Sequence, residues 1–163
     1  MSLGERDIEG LYARWRLPVL RFVHRLTGDA ALAEDVTHEA FLRLLATTDD
    51  VRAPGSWLFR TALNMVRDSA RRHATHDRAT ADWPSDPPER PDERLERRET
   101  VRAVRVALDR LAPRDREVLL MRESGFSYDE IAMACDVQPQ SVPTIVMRAL
   151  RRFRVSYETG ATE

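Results

Sequence analysis

A proline-rich polar strip between two stretches of helical periodicity constrains this chain more than any other feature. Between His73 and Glu93 the sequence carries Trp83-Pro84, Pro87-Pro88 and Pro91 among alternating acids and arginines. Proline fixes φ and removes a backbone donor, so the strip reads as a linker and not as a packed element. On both sides of it apolar residues recur every three or four positions, and neither an internal repeat nor a convincing strand interrupts them. The expectation is an all-α protein of two small helical domains joined by a flexible linker, with bounds at 1–74, 75–93 and 94–158.

In the first block Leu11, Trp15, Val19, Phe22, Val23 and Leu26 define one helix, inside which Pro18 is expected to produce a kink or a split. Gly28-Asp29 supplies a stop and a new cap. A second helix over 30–46 places Val36, Ala40, Phe41, Leu44 and Leu45 inward, with Glu34, Asp35, Glu39 and Arg43 opposite. The three acids form a negative ridge suited to a basic partner, or else an ordinary solvated face. A polar loop from Thr47 to Pro54 contains Arg52. Gly55-Ser56 is then expected to cap a third helix over 57–72, with Leu58, Ala62, Met65, Val66 and Ala70 inward. Its other side carries Arg60, Asn64, Arg67 and Arg71 at steps of four, three and four, a polar stripe fit for phosphates and base edges. Trp57 is expected in the core, with stacking on DNA as the alternative.

In the second block Leu95, Val101, Val104, Leu108 and Leu111 share a face, and Pro113 opens a helix that Gly125 ends. From Ser127 to Val142 a short amphipathic helix runs into a turn, followed by a helix leading into Arg148, Arg151, Arg152 and Arg154. That is the pattern of a helix-turn-helix, whose second helix lies in the major groove. Val142, Val146, Ala149 and Phe153 take the inward positions. Gln138, Gln140, Ser141, Thr144, Ile145 and Arg148 are placed nearer the groove, and Arg151 and Arg152 on phosphates. Pro143 is expected to delay or bend this helix.

The net charge of −1 argues against a nucleic-acid binder until its distribution is considered. Acids concentrate at Glu34, Asp35 and Glu39 and along 82–99, whereas arginines dominate 60–78 and 148–154. Every basic side chain is arginine, never lysine. No stretch has the roughly 20 apolar residues of a membrane span, and residues 1–7 lack a secretory signal, so a cytoplasmic location without membrane contact is expected. Cys135, the single cysteine, excludes an internal disulfide and reads as a small core residue. His24, His38, His73 and His76 show no metal spacing, and no glycine-rich phosphate loop occurs. No metal, no cofactor and no catalysis by this chain are therefore expected.

Three stretches in series resemble the sigma-70 family of bacterial RNA polymerase sigma factors, in its short extracytoplasmic-function type with regions 2 and 4 only. They are Ala33-Glu34-Asp35-Val36-Thr37-His38-Glu39-Ala40-Phe41-Leu42-Arg43-Leu44, Ser56-Trp57-Leu58-Phe59-Arg60-Thr61-Ala62-Leu63-Asn64, and Leu108-Asp109-Arg110-Leu111-Ala112-Pro113 onward through the helix-turn-helix. The resemblance implies a subunit that binds core RNA polymerase and directs it to promoter DNA. Glu34, Asp35 and Glu39 would meet the β′ clamp helices, and the second domain the β flap. Arg52, Arg60, Asn64, Arg67 and Arg71 would serve the −10 element. Gln138, Gln140, Ser141, Thr144, Arg148, Arg151 and Arg152 would serve the −35 element. An anti-sigma factor is a possible further partner. Many relatives carry basic residues where this chain has Pro143 and Ile145, which points to weak or unusual −35 reading. Two other readings remain open: a sigma-like adaptor that binds polymerase or a regulator without reading promoters, and an autonomous helix-turn-helix repressor.

Overall fold

The computed structural model describes residues 8–48, 50–72 and 91–160; the histidines at 73 and 76 and most of the expected linker lie outside them. Seven α-helices are described: α1 (Ile8–Thr27), α2 (Ala30–Ala46), α3 (Pro54–Arg72), α4 (Pro91–Asp109), α5 (Pro113–Glu123), α6 (Tyr128–Cys135) and α7 (Val142–Gly160). Helices α1 to α3 pack on one another, and α4 to α7 form the second group.

Local chemistry sets most of the ends. Gly28, at φ +73°, turns the chain out of α1, and a Cβ there would lie 2.5 Å from the Arg105 guanidinium, so a side chain would both strain the backbone and displace that arginine. Asp29 then caps α2 by accepting from the Leu32 amide at 2.9 Å. Pro18 does not split α1, which runs unbroken through it. Both Pro18 and Arg14, whose carbonyl loses its helical donor, lie on the exposed face, so that carbonyl is not buried without a partner. Helix α3 starts three residues before the expected Trp57, because Pro54 occupies the first turn, where its missing N–H costs nothing. Ser56 is thus inside the helix and not its cap. Helix α4 likewise begins at Pro91, inside the strip assigned to the linker.

The inward faces agree with the sequence reading at most positions and depart from it at five. Leu45, Ala70, Leu95 and Val101 are exposed, because α2 and α3 present their ends beyond the bundle and only the C-terminal turns of α4 are covered. Ile145 is the fifth: it is buried, whereas the sequence reading put it near the groove. The physical reason is helical spacing itself: Ile145 lies three residues after Val142 and four before Ala149, so Val142, Ile145, Val146 and Ala149 share the buried face of α7, which follows a 3₁₀ turn at Pro139–Ser141. Pro143 falls in the first turn of α7, where it is tolerated, and the α-helix proper starts later than Pro139, as expected.

The two helical groups are in contact. Phe59 on α3 is 1% exposed; its ring meets Phe22 of α1 at a tilt, with centroids 4.9 Å apart, and Phe126 of the second group edge-on at 4.6 Å. One apolar cluster thus continues from α1–α3 into α5–α7. The C-terminal carbonyls of α1 also find donors across this junction. Arg105 donates to the His24 and Arg25 carbonyls at 3.2 and 2.7 Å, and Arg116 to that of Leu26 at 3.1 Å. Orphan carbonyls and the negative end of the helix dipole both favour cations there.

Candidate nucleic-acid interface

Helix α2 presents the acidic ridge. Burial of Ala33, Val36, Thr37 and Ala40 turns Glu34, Asp35 and Glu39 toward solvent, with the side chains of Glu34 and Glu39 each about half exposed. Each flanking acid has one surface arginine: Arg16 donates to Glu34 at 3.2 Å and Arg43 to Glu39 at 2.8 Å. Exposed pairs of this kind contribute about 0.2–1 kcal/mol, so a basic partner displaces them cheaply. Among the described residues no ion pair engages Asp35.

Helix α3 carries the polar stripe, oriented by burial of Leu58, Phe59, Ala62 and Leu63. Gly55 lets the first turn approach α1, since a Cβ there would lie 2.5 Å from the Trp15 ring. Arg60, Asn64 and Arg71 are exposed, and so is Arg52 in the preceding loop. That loop is anchored by Val51, which is buried. Trp57 is half-buried and packs against the apolar cluster, as expected of a core residue. Arg67 differs from its neighbours. Its Nε and Nη2 donate to the two carboxylate oxygens of Glu117 on α5, at 3.1 and 2.6 Å, a fork that raises the guanidinium pKa above its ordinary value. Nη1 lies 3.7 Å from Asp136. Periodicity puts Arg67 in the stripe, but the second domain holds it.

The helix-turn-helix is built from α6, its turn and α7. Ser127 caps α6 in a capping box with Glu130, whose carboxyl is held below the usual glutamate range by hydrogen bonds from Ser56 and from the Ser127 amide. Asp136 closes α6 in the left-handed region at φ 52°. Cys135 and Ile131 face the core, and burial pushes the thiol up to about 12, so it is protonated at neutral pH. Among the described residues no cluster of histidine, cysteine, aspartate and glutamate is arranged to hold a metal.

On the outer side of the turn and α7, Gln138, Gln140 and Thr144 are exposed, and Ser141 is half-buried. Arg148 is engaged within the domain. It forks onto Asp115 of α5, Nε donating at 3.0 Å and Nη2 to the other oxygen, and Arg152 adds a bond at 3.2 Å. Asp115 is 1% exposed, so these two arginines neutralise a buried carboxylate. Arg151 extends into solvent. Met147, which the sequence reading passed over, is 62% exposed between Thr144 and Arg151, and its spacing of three from Thr144 was the signal.

Comparison with known proteins matches this architecture domain by domain. Residues 11–76 fit the model of Sigma-70 region 2, and residues 101–153 fit that of Sigma-70, region 4. The chain is 34% identical over 157 residues to the ECF RNA polymerase sigma factor EcfG of Rhodopseudomonas palustris, covering 90% of this chain and 84% of that one. It is 31% identical over 172 residues to the ECF RNA polymerase sigma factor SigL of Mycobacterium tuberculosis, covering 95% and 92%. In fold it is similar to the sigma factor RpoE solved with the anti-sigma factor NepR from Bartonella quintana. The TM-score is 0.73 at 19% identity, over 94% of this chain and 98% of that one. With two region models in the same order as its two helical groups, and relatives aligned over nearly their whole length, this chain belongs to the extracytoplasmic-function branch of the sigma-70 family.

Proposed function

We propose that the chain binds core RNA polymerase through the acidic ridge of α2, directs it to promoter DNA and helps open the −10 region through α3. The observation that carries this reading is the exposure of two chemically opposite faces on one domain. Glu34, Asp35 and Glu39 suit a basic protein surface, and Arg60, Asn64 and Arg71, with Arg52 nearby, suit phosphates and unstacked bases. Unstacking a base costs a few kcal/mol, which stacking and edge hydrogen bonds offset. The second domain contacts the −35 element with Gln138, Gln140, Ser141 and Thr144, and Arg151 supplies a phosphate contact. Arg148 and Arg152 reach the phosphates only with the outward edges of guanidinium groups already committed to Asp115, so their first role is to hold α7 against α5. The chain supplies recognition, and the polymerase performs catalysis in the cytoplasm. An anti-sigma factor, the kind of partner bound to the solved RpoE, is the expected regulator.

Charge reversal tests the ridge. Asp35→Arg with Glu39→Arg is expected to weaken binding to core polymerase by about tenfold or more at low salt, with a smaller effect as salt screens the surface. The thermal unfolding free energy should change by less than about 0.5 kcal/mol, because only an exposed pair with Arg43 is lost. Anisotropy titration with core enzyme measures the first and calorimetry the second. Unchanged affinity would remove α2 from the polymerase interface.

A further inference from the structure

We propose that α4 and α7 form a binding cleft for a small oligophosphate anion of the diphosphate or triphosphate class. Where the end of α4 meets the C-terminal half of α7, a cleft of about 380 Å³ is lined by Arg110, Arg151, Arg152, Val155, Ser156 and Thr159. That volume is in the range of small-ligand sites. Three guanidinium groups share the lining, and no carboxylate does. The acids adjacent in the chain are engaged elsewhere: Asp109 pairs with Arg105 and Arg116 at 3.1 and 3.3 Å, and Glu158 with Arg154 at 3.2 Å. Among the described residues no ion pair engages Arg110 or Arg151. Like charges gathered in this way repel, and an anion that bridges them relieves the repulsion.

Two of the three arginines are held in place from behind. Arg152 Nη1 donates to the buried Asp115 at 3.2 Å while its side chain stays 58% exposed, which leaves other donors of the same fork for a ligand. Arg110 Nη1 donates to the Ser156 hydroxyl at 3.4 Å, and Ser156, itself buried, keeps its own proton to give. Donor number selects the ligand. A carboxylate offers two oxygens and a single charge, whereas a diphosphate offers oxygens on two centres and several charges, enough to meet three forks and a hydroxyl together. Val155 is the apolar member of the lining, a surface that a nucleoside could cover and an inorganic diphosphate could not. Arg151 links the cleft to α7: on the reading of that helix as a promoter contact, a bound oligophosphate competes with DNA for this guanidinium and lowers duplex affinity. That consequence rests on the promoter reading, and occupation of the cleft does not.

Calorimetric titration of the full chain at fixed ionic strength, with sodium diphosphate, adenosine diphosphate and orthophosphate in separate arms, tests the cleft. Diphosphate is expected to bind at one site per chain, about tenfold or more tighter than orthophosphate. Tighter binding of adenosine diphosphate than of diphosphate would support the cleft with a nucleotide as its ligand, and the reverse order would support it with an inorganic one. Arg110→Ala sacrifices only the long bond to Ser156 and is expected to weaken diphosphate on the order of tenfold, the loss of one charge-assisted contact. Val155→Glu, at an exposed position, places a carboxylate among the arginines and should weaken it at least as much, which keeps the test valid if Arg110→Ala misfolds. Diphosphate that binds no better than orthophosphate, or that binds both variants as it binds the parent, would overturn the proposal. So would a loss of duplex affinity in Arg110→Ala without any diphosphate binding by the parent, because the cleft would then belong to the DNA contact. Diphosphate binding needs neither polymerase nor promoter, so it is scored apart from strand opening and either can fail alone.

Discussion

Replacing Arg148 by alanine is expected to destabilise the second domain by about 2 kcal/mol, although the side chain is half-exposed and sits on the helix assigned to DNA. The reason is its partner. Asp115 is buried, and removing one member of a buried charge pair typically costs about 3–5 kcal/mol because the other is left uncompensated. Here the figure falls below that range, since Arg152 still reaches Asp115 at 3.2 Å and the Arg148 fork is partly screened by water. Arg151→Ala is the control. Exposed and without an ion pair among the described residues, it should change stability by less than about 0.5 kcal/mol but lower promoter-DNA affinity uniformly across sequences and reduce the salt slope by about one. Denaturant unfolding and salt-dependent binding separate the two. If Arg148→Ala unfolds like the parent and only the salt slope falls, Asp115 does not depend on it.

Phe59→Ala should have the larger effect, about 3–5 kcal/mol, as for other buried aromatic truncations. Its ring touches Phe22, Trp15 and Phe126, so the cavity would open where α1, α3 and the second domain converge. Loss of that ring weakens the core of the first domain and its contact with the second together. Unfolding followed by separate probes in the two domains should show both transitions shifted, with the first shifted more. A loss below about 1 kcal/mol would mean that neighbouring rings collapse into the space.

The positions of the helices follow from local chemistry that the sequence displays openly: Asp29 and Ser127 as caps, Pro113 at a helix start, Gly28 and Gly125 at the ends. The acidic ridge on α2 and the stripe on α3 follow equally from spacing of three and four. What spacing does not carry is partnership across the chain. Arg67 finds Glu117 fifty positions away and Arg148 finds Asp115 thirty-three away, and no local pattern distinguishes them from Arg60 or Arg151, which point to water. The burial of Ile145, by contrast, was legible: it lies three positions after Val142 and four before Ala149, on the face that helical spacing turns inward. Contact between the two helical groups was out of reach, because a tether of proline and charge is compatible with domains that pack and with domains that do not.

Permanganate reactivity of unpaired thymines, on DNA incubated with core enzyme and the purified chain, reads whether this chain makes core polymerase initiate at promoters. Strand opening is expected at discrete sites only when both proteins are present. Arg60→Ala with Asn64→Ala should bind core enzyme normally yet lose that opening by about a hundredfold, roughly two contacts of 1–3 kcal/mol each. Normal polymerase binding by the parent chain with opening at no site would rule out promoter opening and identify an adaptor. Tight duplex binding that needs no polymerase would rule it out as well and identify an autonomous repressor.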